Sequence, residues 1–200
     1  HLDLRGAVLV GHSLGGTVVG QLCADRPDLV DERVAGLVFV GSFASAIAGE
    51  GRFRERFSPT MIRLAARFQT GTEPRGTASS SALSYVMARS PFGPQPQPEQ
   101  VRFTLDLGSA CAQAVISGAT VGNIAYDVRD ALGRIGPPAL VIRGEHDSLA
   151  TARSAAQLEA ALTEVEVMTV DGSGHLPMLE ARERFDDLLA GFATRVTRGS

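Results

Sequence analysis

The sequence contains no lysine: its 19 basic residues are all arginine, set against 22 acidic residues, and the formal net charge is −3. This charge gives no electrostatic reason to expect nucleic acid or an anionic membrane as a partner. No apolar run is long enough to span a bilayer. The chain does not start with methionine and shows no signal peptide. We take a cytoplasmic location as the default, with the true N-terminus not visible.

Cysteine is also scarce, since only Cys23 and Cys111 occur. They lie in different helical patterns and do not have the spacing of metal ligands, so we expect no metal site. Both are interpreted as buried free thiols, although the sequence leaves a disulfide open. With 44% hydrophobic residues, the 200 residues suit one globular domain that carries an inserted subdomain.

The main functional motif of the sequence lies within residues 7–26. Residues 7–10 (AVLV) form an unbroken apolar run that predicts a strand buried on both faces of a parallel sheet. The next five residues read G-x-S-x-G around Ser13, and a helical pattern follows over 17–26. A buried strand, a sharp turn and a helix are the context in which this motif exposes a nucleophilic serine. Because the bare motif is weak in a glycine-rich chain, this context carries the prediction.

The turn needs space around the serine. We expect Ser13 to adopt a strained backbone conformation, which requires small residues two positions before and two positions after it. Gly11 and Gly15 meet this need, and Gly16 adds room where helix and strand cross. The hydroxyl would then lie beside a helix N-terminus, whose dipole favours negative charge. A glycine-rich turn against a phosphate is the alternative, but it lacks the G-x-G-x-x-G spacing and the lysine of a phosphate loop.

Three further segments, 34–40, 139–142 and 165–170, predict strands of the same sheet. The first of them completes a β-α-β unit, which implies parallel strands and a right-handed crossover. We expect helices over 151–162 and from 177 to about 194, the last with one apolar face docked on the sheet. The predicted fold class is therefore α/β, a mostly parallel sheet flanked by helices.

The composition changes at Gly49. Helical patterns over 52–69, 77–89, 101–117 and 123–132, with a proline-rich connector at 91–98, make a segment far longer than a crossover needs. We interpret 49–129 as a helical cap or lid above the site, between core segments 1–48 and 130–200. Plain helical packing without substrate contact remains the alternative for any single residue of this segment.

Three residues, Ser13, Asp147 and His175, each follow the carboxyl end of a predicted parallel strand, where such sheets place their active sites. A serine hydroxyl needs a base to attack an acyl carbon, and His175 can take its proton and pass it to the leaving group. Asp147 would accept the other ring N–H of the histidine. The backbone N–H of Leu14 would point toward the developing oxyanion. This chemistry requires no metal or organic cofactor.

Each assignment has a rival. Glu145 and Asp171 compete with Asp147, since Glu145 lies at the end of the strand and Asp171 lies on the loop of the histidine itself. His175 taken alone could be a capping or surface histidine. The remaining histidines are given no catalytic role: His1, His12 and His146.

Three motifs together resemble the signatures of the α/β-hydrolase superfamily: 11–16 (GHSLGG), 144–147 (GEHD) and 174–175 (GH), in the chain order serine, acid, histidine. Residues 127–138 also resemble the link by which these enzymes return from cap to core. The resemblance covers the whole chain. It implies a capped, serine-nucleophile, esterase- or lactonase-like member. Serine at position 13 argues against the epoxide hydrolases and haloalkane dehalogenases, whose nucleophile is aspartate.

The chain departs from the family at its start. Family members have about four strands before the elbow, so roughly 70–90 residues are missing, and with them the loop that supplies the second oxyanion N–H. Without those strands, residues 7–10 would form an exposed apolar edge, a template for aggregation. We expect an N-terminal portion of the same protein to complete the sheet, either cleaved and still associated or not included in this sequence.

The resemblance implies a serine hydrolase that cleaves a small or medium apolar carboxylic ester, lactone or thioester through an acyl-enzyme. The family uses the same triad for acyl transfer, perhydrolysis and the hydrolysis of carbon–carbon bonds, so an acyltransferase, perhydrolase or C–C bond hydrolase is the alternative. A non-catalytic ligand-binding homologue that has kept the fold is a third hypothesis.

Overall fold

The computed structural model describes residues 3–45, 82–110, 112, 115, 118–119, 122–123 and 126–198. The chain divides into two compact units. The first comprises His1–Ala44, Pro91–Gln95 and Val128–Ser200, and the second comprises Ser45–Ser90 and Pro96–Asp127. The first unit therefore includes residues 91–95, which the sequence analysis had placed inside the cap.

The first unit is built on a parallel four-stranded sheet in the order β1-β2-β3-β4. The register aligns Phe39 with Gly11 on one side and with Val141 on the other. The predicted parallel α/β architecture is confirmed, and the second and fourth strands begin and end where they were predicted. The strands are β1 (Ala7–His12), β2 (Val34–Val40), β3 (Ala139–Gly144) and β4 (Val165–Val170).

The expectation that β1 is buried on both faces is wrong. Residues 7–9 are only half-buried, and Val10 is 46% exposed. The reason is the position of β1 in the sheet. In the described part of the chain it is the edge strand and pairs with β2 alone.

Helices connect and cover the strands. None of the described helices is long and apolar enough to cross a membrane. In chain order the helices are α1 (Leu14–Asp25), α2 (Pro27–Arg33), α3 (Ala82–Arg89), α4 (Pro98–Ala110), α5 (Arg129–Leu132), α6 (Ala152–Ala161), α7 (Pro177–Glu180) and α8 (Arg182–Thr197).

One helical expectation is corrected in the first unit. The helix predicted over 17–26 is confirmed as α1, which ends at Asp25, and Pro27 begins the separate helix α2; proline suits the first helical position, where its missing N–H would have no partner. The predicted last helix is split into α7 and α8 at Ala181, whose φ of −137° and ψ of 56° are not helical. The predicted docking of this region on the sheet is confirmed, since Phe185 and Phe192 are buried in the core. That core also contains Val38, Val40, Leu140, Ile142 and Val170.

Cys23 lies in α1 as a buried free thiol, as expected. Burial raises its pKa to about 11, so the thiol is protonated and unreactive at neutral pH. Cys111 lies outside the described residues.

In the second unit, α3 and α4 contact each other and form parts of the helices predicted over 77–89 and 101–117. The helix predicted over 123–132 is wrong in its middle. Asp127 forms an isolated antiparallel bridge with Ser45, and α5 begins only at Arg129. The helical pattern over 52–69 lies outside the described residues.

Candidate active site

The turn between β1 and α1 holds Ser13 in a conformation that L-residues rarely adopt. Its φ is 51° and its ψ is −117°, which confirms the predicted strain. Such a conformation costs about 1–3 kcal/mol and persists only where the surroundings enforce it. The Ser13 N–H donates to the carbonyl of Val40 at 2.8 Å, and the Ser13 carbonyl accepts from the Gly16 N–H at 2.9 Å and from the Ser42 hydroxyl at 3.1 Å.

Close packing explains two of the three glycines of the elbow. A Cβ at Gly11 would lie 2.5 Å from the carbonyl oxygen of Gly15, and a Cβ at Gly16 would lie 2.2 Å from the Ser42 hydroxyl oxygen. Among the described residues, a Cβ at Gly15 would meet nothing within 4 Å. Within this part of the chain, the steric requirement lies at Gly11 and Gly16, and the expectation for position 15 finds no support.

Asp147 and His175 form a buried hydrogen-bonded pair. The His175 Nδ1 lies 2.9 Å from the Asp147 Oδ2, and the two side chains are 7% and 0% exposed. The other carboxylate oxygen of Asp147 accepts the backbone N–H groups of Leu149 at 2.9 Å and Ala150 at 2.8 Å. Both carboxylate oxygens of Asp147 therefore accept hydrogen bonds. Because Oδ2 is an acceptor, the His175 Nδ1 is the donor and carries the ring proton. The Nε2 of His175 is thereby left as an acceptor.

The rival carboxylates take other positions. The Glu145 side chain is about half exposed; it accepts the Gly172 N–H at 2.8 Å and lies 3.6 Å from His146. Asp171 is exposed. Of the three carboxylates considered from the sequence, Asp147 is the one hydrogen-bonded to His175.

Gly41 joins the elbow to this pair. It directly follows Val40, the acceptor of the Ser13 N–H, and its φ is 50°. A Cβ at this position would lie 3.0 Å from the His175 Nδ1 and 3.1 Å from the Asp147 Oδ2. The carboxyl ends of β1, β2 and β3 and the loop after β4 therefore meet at one place.

The Ser13 hydroxyl and the Leu14 N–H are the other two groups to which the sequence assigned a role. Among the described residues, the Ser13 hydroxyl has no hydrogen-bond partner, and the Leu14 N–H at the start of α1 has no acceptor. The structure thus brings Asp147 and His175 into direct contact. It places Ser13 at the same strand ends without a direct hydrogen bond to the histidine.

Sequence reasoning gave no role to several residues that hold His175. The His12 Nε2 donates to the His175 carbonyl at 2.8 Å, and the two rings lie 4.8 Å apart. Burial lowers the pKa of His12, which keeps this ring neutral. Pro91 and Glu180 contact the histidine loop from the other side. Of these residues, His12 alone could have been singled out from the sequence, because it is adjacent to Ser13. Pro91 could not, because it is far from His175 in the sequence.

A cavity of about 670 Å³ lies at the amino ends of the strands, away from these residues. Its lining includes Val34, Ala139, Val165 and Phe192 but no serine, cysteine or histidine among the described residues. The carboxylates in its lining, those of Asp31, Glu164 and Glu166, lie at the opposite ends of the strands from Ser13, Asp147 and His175. Within the described residues, no group of three or more His, Cys, Asp or Glu side chains is arranged to hold a metal ion.

Comparisons with known proteins agree with this geometry. Residues 1–181 match the family model described as the alpha/beta hydrolase fold. The chain is 29% identical to a pimeloyl-[acyl-carrier protein] methyl ester esterase of Vibrio cholerae, with 96% of this chain and 71% of that protein covered. It is 26% identical to the dihydrolipoyllysine-residue acetyltransferase component of an acetoin cleaving system of Pseudomonas putida, covering 96% of this chain but only 46% of that protein.

Among solved structures, an esterase from Exiguobacterium antarcticum superposes with a TM-score of 0.76 at 16% identity, covering 96% of this chain and 68% of that one. This likeness shows the fold. The chain therefore belongs to the α/β-hydrolase fold family and is an enzyme of the α/β-hydrolase type.

Proposed function

We propose that this protein is a carboxylic ester hydrolase that uses Ser13, His175 and Asp147 as a catalytic triad. The observation that carries the proposal is the buried Asp147–His175 pair, at 2.9 Å, beside the strained turn of Ser13. The similarity to a protein named as a methyl ester esterase supports the reaction class. We propose a small or medium apolar ester, lactone or thioester as the substrate.

The mechanism follows from the hydrogen bonds. Ser13 Oγ attacks the acyl carbon while the free Nε2 of His175 takes its proton. Asp147 holds the ring in the tautomer that this transfer needs and stabilises the imidazolium. The proton then passes to the departing alcohol, and an acyl-enzyme remains. A water molecule, deprotonated by the same histidine, releases the acid.

The Leu14 N–H and the hydrogen bonding of the Ser13 hydroxyl both affect these steps. The Leu14 N–H, at the positive end of α1, is placed to receive the negative charge that develops on the acyl oxygen; one such donor is worth about 3–4 kcal/mol. The Ser13 hydroxyl has no hydrogen bond within the described residues, so its hydrogen bond to His175 would form when substrate binds. Catalytic hydrogen bonds commonly tighten in this way.

A fluorophosphonate tests the proposal, because it phosphonylates only an activated serine. We expect the intact mass to increase by one adduct that maps to Ser13. The adduct should be absent in Ser13→Ala and nearly absent in His175→Ala. Ser90→Ala is the control, since Ser90 is exposed and its hydroxyl bonds only to the Met87 carbonyl. A folded protein that forms no adduct would contradict the triad and favour the ligand-binding homologue.

Acyl transfer is the second candidate, because one relative is named as an acetyltransferase component. It would use the same acyl-enzyme, with an alcohol or thiol in place of water. Product analysis with p-nitrophenyl butyrate, in water and with added alcohol, separates the two. Free acid as the main product in the presence of the alcohol supports hydrolysis, and a new ester as the main product supports transfer.

We further propose that an N-terminal portion of the same protein completes the sheet beside β1. The support is the edge position of β1 and the 46% exposure of Val10. A small apolar substrate as the other partner, and a cytoplasmic location, remain expectations from the sequence. Hydrogen exchange tests the strand: the amides on the free edge of β1 should become protected in the longer protein, and equal exchange in both forms would contradict it.

A further inference from the structure

Four backbone groups at and beside His175 are hydrogen-bonded to residues outside its loop. Its N–H donates to the carbonyl of Pro91 at 2.7 Å, and its carbonyl accepts from the His12 ring. The N–H groups on either side, those of Gly174 and Leu176, both donate to one carboxylate oxygen of Glu180, at 2.9 and 3.2 Å. The candidate base is therefore fixed from three directions.

Glu180 also binds a distant segment. Its second carboxylate oxygen accepts the backbone N–H of Gly93 at 2.6 Å. This one side chain thus connects the histidine loop to residues 91–95, which belong to the same compact unit. Hydrogen bonds to a charged acceptor are shorter and stronger than those between neutral groups.

The two connected segments have little room to shift. A Cβ at Gly174 would lie 2.4 Å from the Gly93 nitrogen and 2.4 Å from the Pro91 oxygen. A Cβ at Gly144, on the other side of the loop, would lie 1.9 Å from the Gly174 oxygen. The loop is therefore packed between β3 and residues 91–95, and the Glu180 carboxylate sets its position there.

We propose that Glu180 is a positioning residue that sets the orientation of His175 toward Ser13 and Asp147. The inference rests on the proposed function, because positioning matters only if His175 is the base. Glu180 acts through the backbone of residues 174–176 and does not contact the reacting atoms. Misplacement of a catalytic group by about 1 Å can cost roughly 100-fold in rate, so a displaced loop would slow catalysis without removing any triad member.

The test is the substitution Glu180→Gln. Both carboxylate oxygens of Glu180 are acceptors, but glutamine has one oxygen and one NH₂ group, which would face a backbone N–H. We expect the rate of fluorophosphonate labelling and the kcat for p-nitrophenyl butyrate to fall about 10- to 100-fold, with KM nearly unchanged. The downfield proton resonance of the His175 Nδ1–H should shift or broaden, since its hydrogen bond to Asp147 is disturbed.

Glu183→Gln is the matched control. Glu183 is exposed in the first turn of α8 and has no hydrogen bond to a described residue. The same loss of charge there should leave labelling, kcat and the resonance unchanged. If Glu180→Gln does not fold, Glu180→Asp takes its place. Aspartate keeps two acceptors but shortens their reach, so it should fold and show the same changes to a smaller degree.

The outcomes separate the two proposals. Wild-type labelling, kcat and histidine resonance in a folded Glu180 variant would overturn the positioning role while leaving the triad intact. If the wild-type protein itself is not labelled at Ser13, the proposed function fails. In that case the His175 resonance still tests the role of Glu180. A shifted resonance in the variant would show that Glu180 holds the orientation of His175, and an unchanged resonance would show that it does not.

Discussion

At the residue scale, the Asp147 side chain accepts hydrogen bonds from the backbone of its own turn and from His175. One substitution can remove the second of these interactions and keep the first. In Asp147→Asn the amide oxygen can still accept the N–H groups of Leu149 and Ala150, so the turn should persist. The NH₂ group would then face the His175 Nδ1 and favour the tautomer with the proton on Nε2. That tautomer cannot accept the Ser13 proton. We expect kcat for p-nitrophenyl butyrate to fall about 10⁴-fold with the unfolding temperature nearly unchanged.

A matched control for that variant is Glu145→Gln. Glu145 is the other carboxylate beside the site, and it accepts the Gly172 N–H rather than the histidine ring. Its loss should change kcat by less than about tenfold, since no proton transfer depends on it. Equal losses in the two variants would contradict the assignment of Asp147 as the partner of His175.

We expect His12 to make the stability of the protein dependent on pH. Burial is the largest cause that lowers its pKa, while its hydrogen bond to the His175 backbone opposes this effect. Below the ordinary histidine pKa, the unfolded chain binds a proton at this position that the folded protein does not. The free energy of unfolding therefore decreases as the pH falls through that range, and levels off below the folded pKa. Thermal unfolding measured from pH 7.5 down to pH 5 should show this decrease.

The substitution His12→Gln tests whether this residue is the source. Glutamine can donate to the same carbonyl but does not titrate, so the unfolding temperature should depend less steeply on pH than in the wild-type protein. His146→Gln is the control, because His146 is exposed and should leave the slope unchanged. A slope in His12→Gln equal to the wild-type slope would show that another group is responsible.

At the scale of elements, the nucleophile turn is held by close contact between backbones. A methyl group at Gly11 would lie 2.5 Å from a backbone oxygen, which cannot rotate away, whereas a methyl group at Gly15 would meet no described residue within 4 Å. We expect Gly11→Ala to lower the free energy of unfolding by about 1–3 kcal/mol. Gly15→Ala should leave it unchanged or raise it by up to about 1 kcal/mol, since alanine is the better helix former. Denaturant titration of the two variants measures both values.

The elements also show what local patterns can predict. The apolar run 34–40 identified β2 to the residue, because a buried strand requires consecutive apolar side chains. β4 was also identified to the residue, although its sequence VEVMTV alternates apolar with polar residues in part and only Val170 is buried. The split at Ala181 had no local signal, since the apolar spacing continues across it. The helix α2, which begins at Pro27, was not predicted, because proline ends a preceding helix as readily as it begins a new one.

At the scale of the whole molecule, the least predictable features depend on contacts between residues distant in sequence. That Ser13, Asp147 and His175 lie at the same end of the sheet could be predicted, because each follows a strand that its own sequence reveals. The roles of Pro91 and Glu180 could not be identified, since residues 91–95 join the first unit only in the folded chain. Composition marks such a proline-rich stretch as a connector but carries no information about what it contacts.

The exposed edge of the sheet gives the prediction at this scale. Val10 on β1 is 46% exposed, and among the described residues the outer edge of β1 has no paired strand, so this edge combines an apolar side chain with unpaired backbone groups. An edge of this kind is a template for pairing with another strand. We expect the 200-residue chain to self-associate with rising concentration in analytical ultracentrifugation. Val10→Arg should weaken this association, because a charge on an edge strand opposes pairing.

Val86→Arg is the matched control for the edge, since Val86 is 60% exposed on α3, in the other compact unit. It introduces the same charge at a similar exposure and should leave the association unchanged. Weakening of the association by both variants to the same degree would indicate a general effect of charge. A wild-type chain that stays monomeric at the highest concentration would contradict pairing at β1, and with it the reason to expect a further strand there.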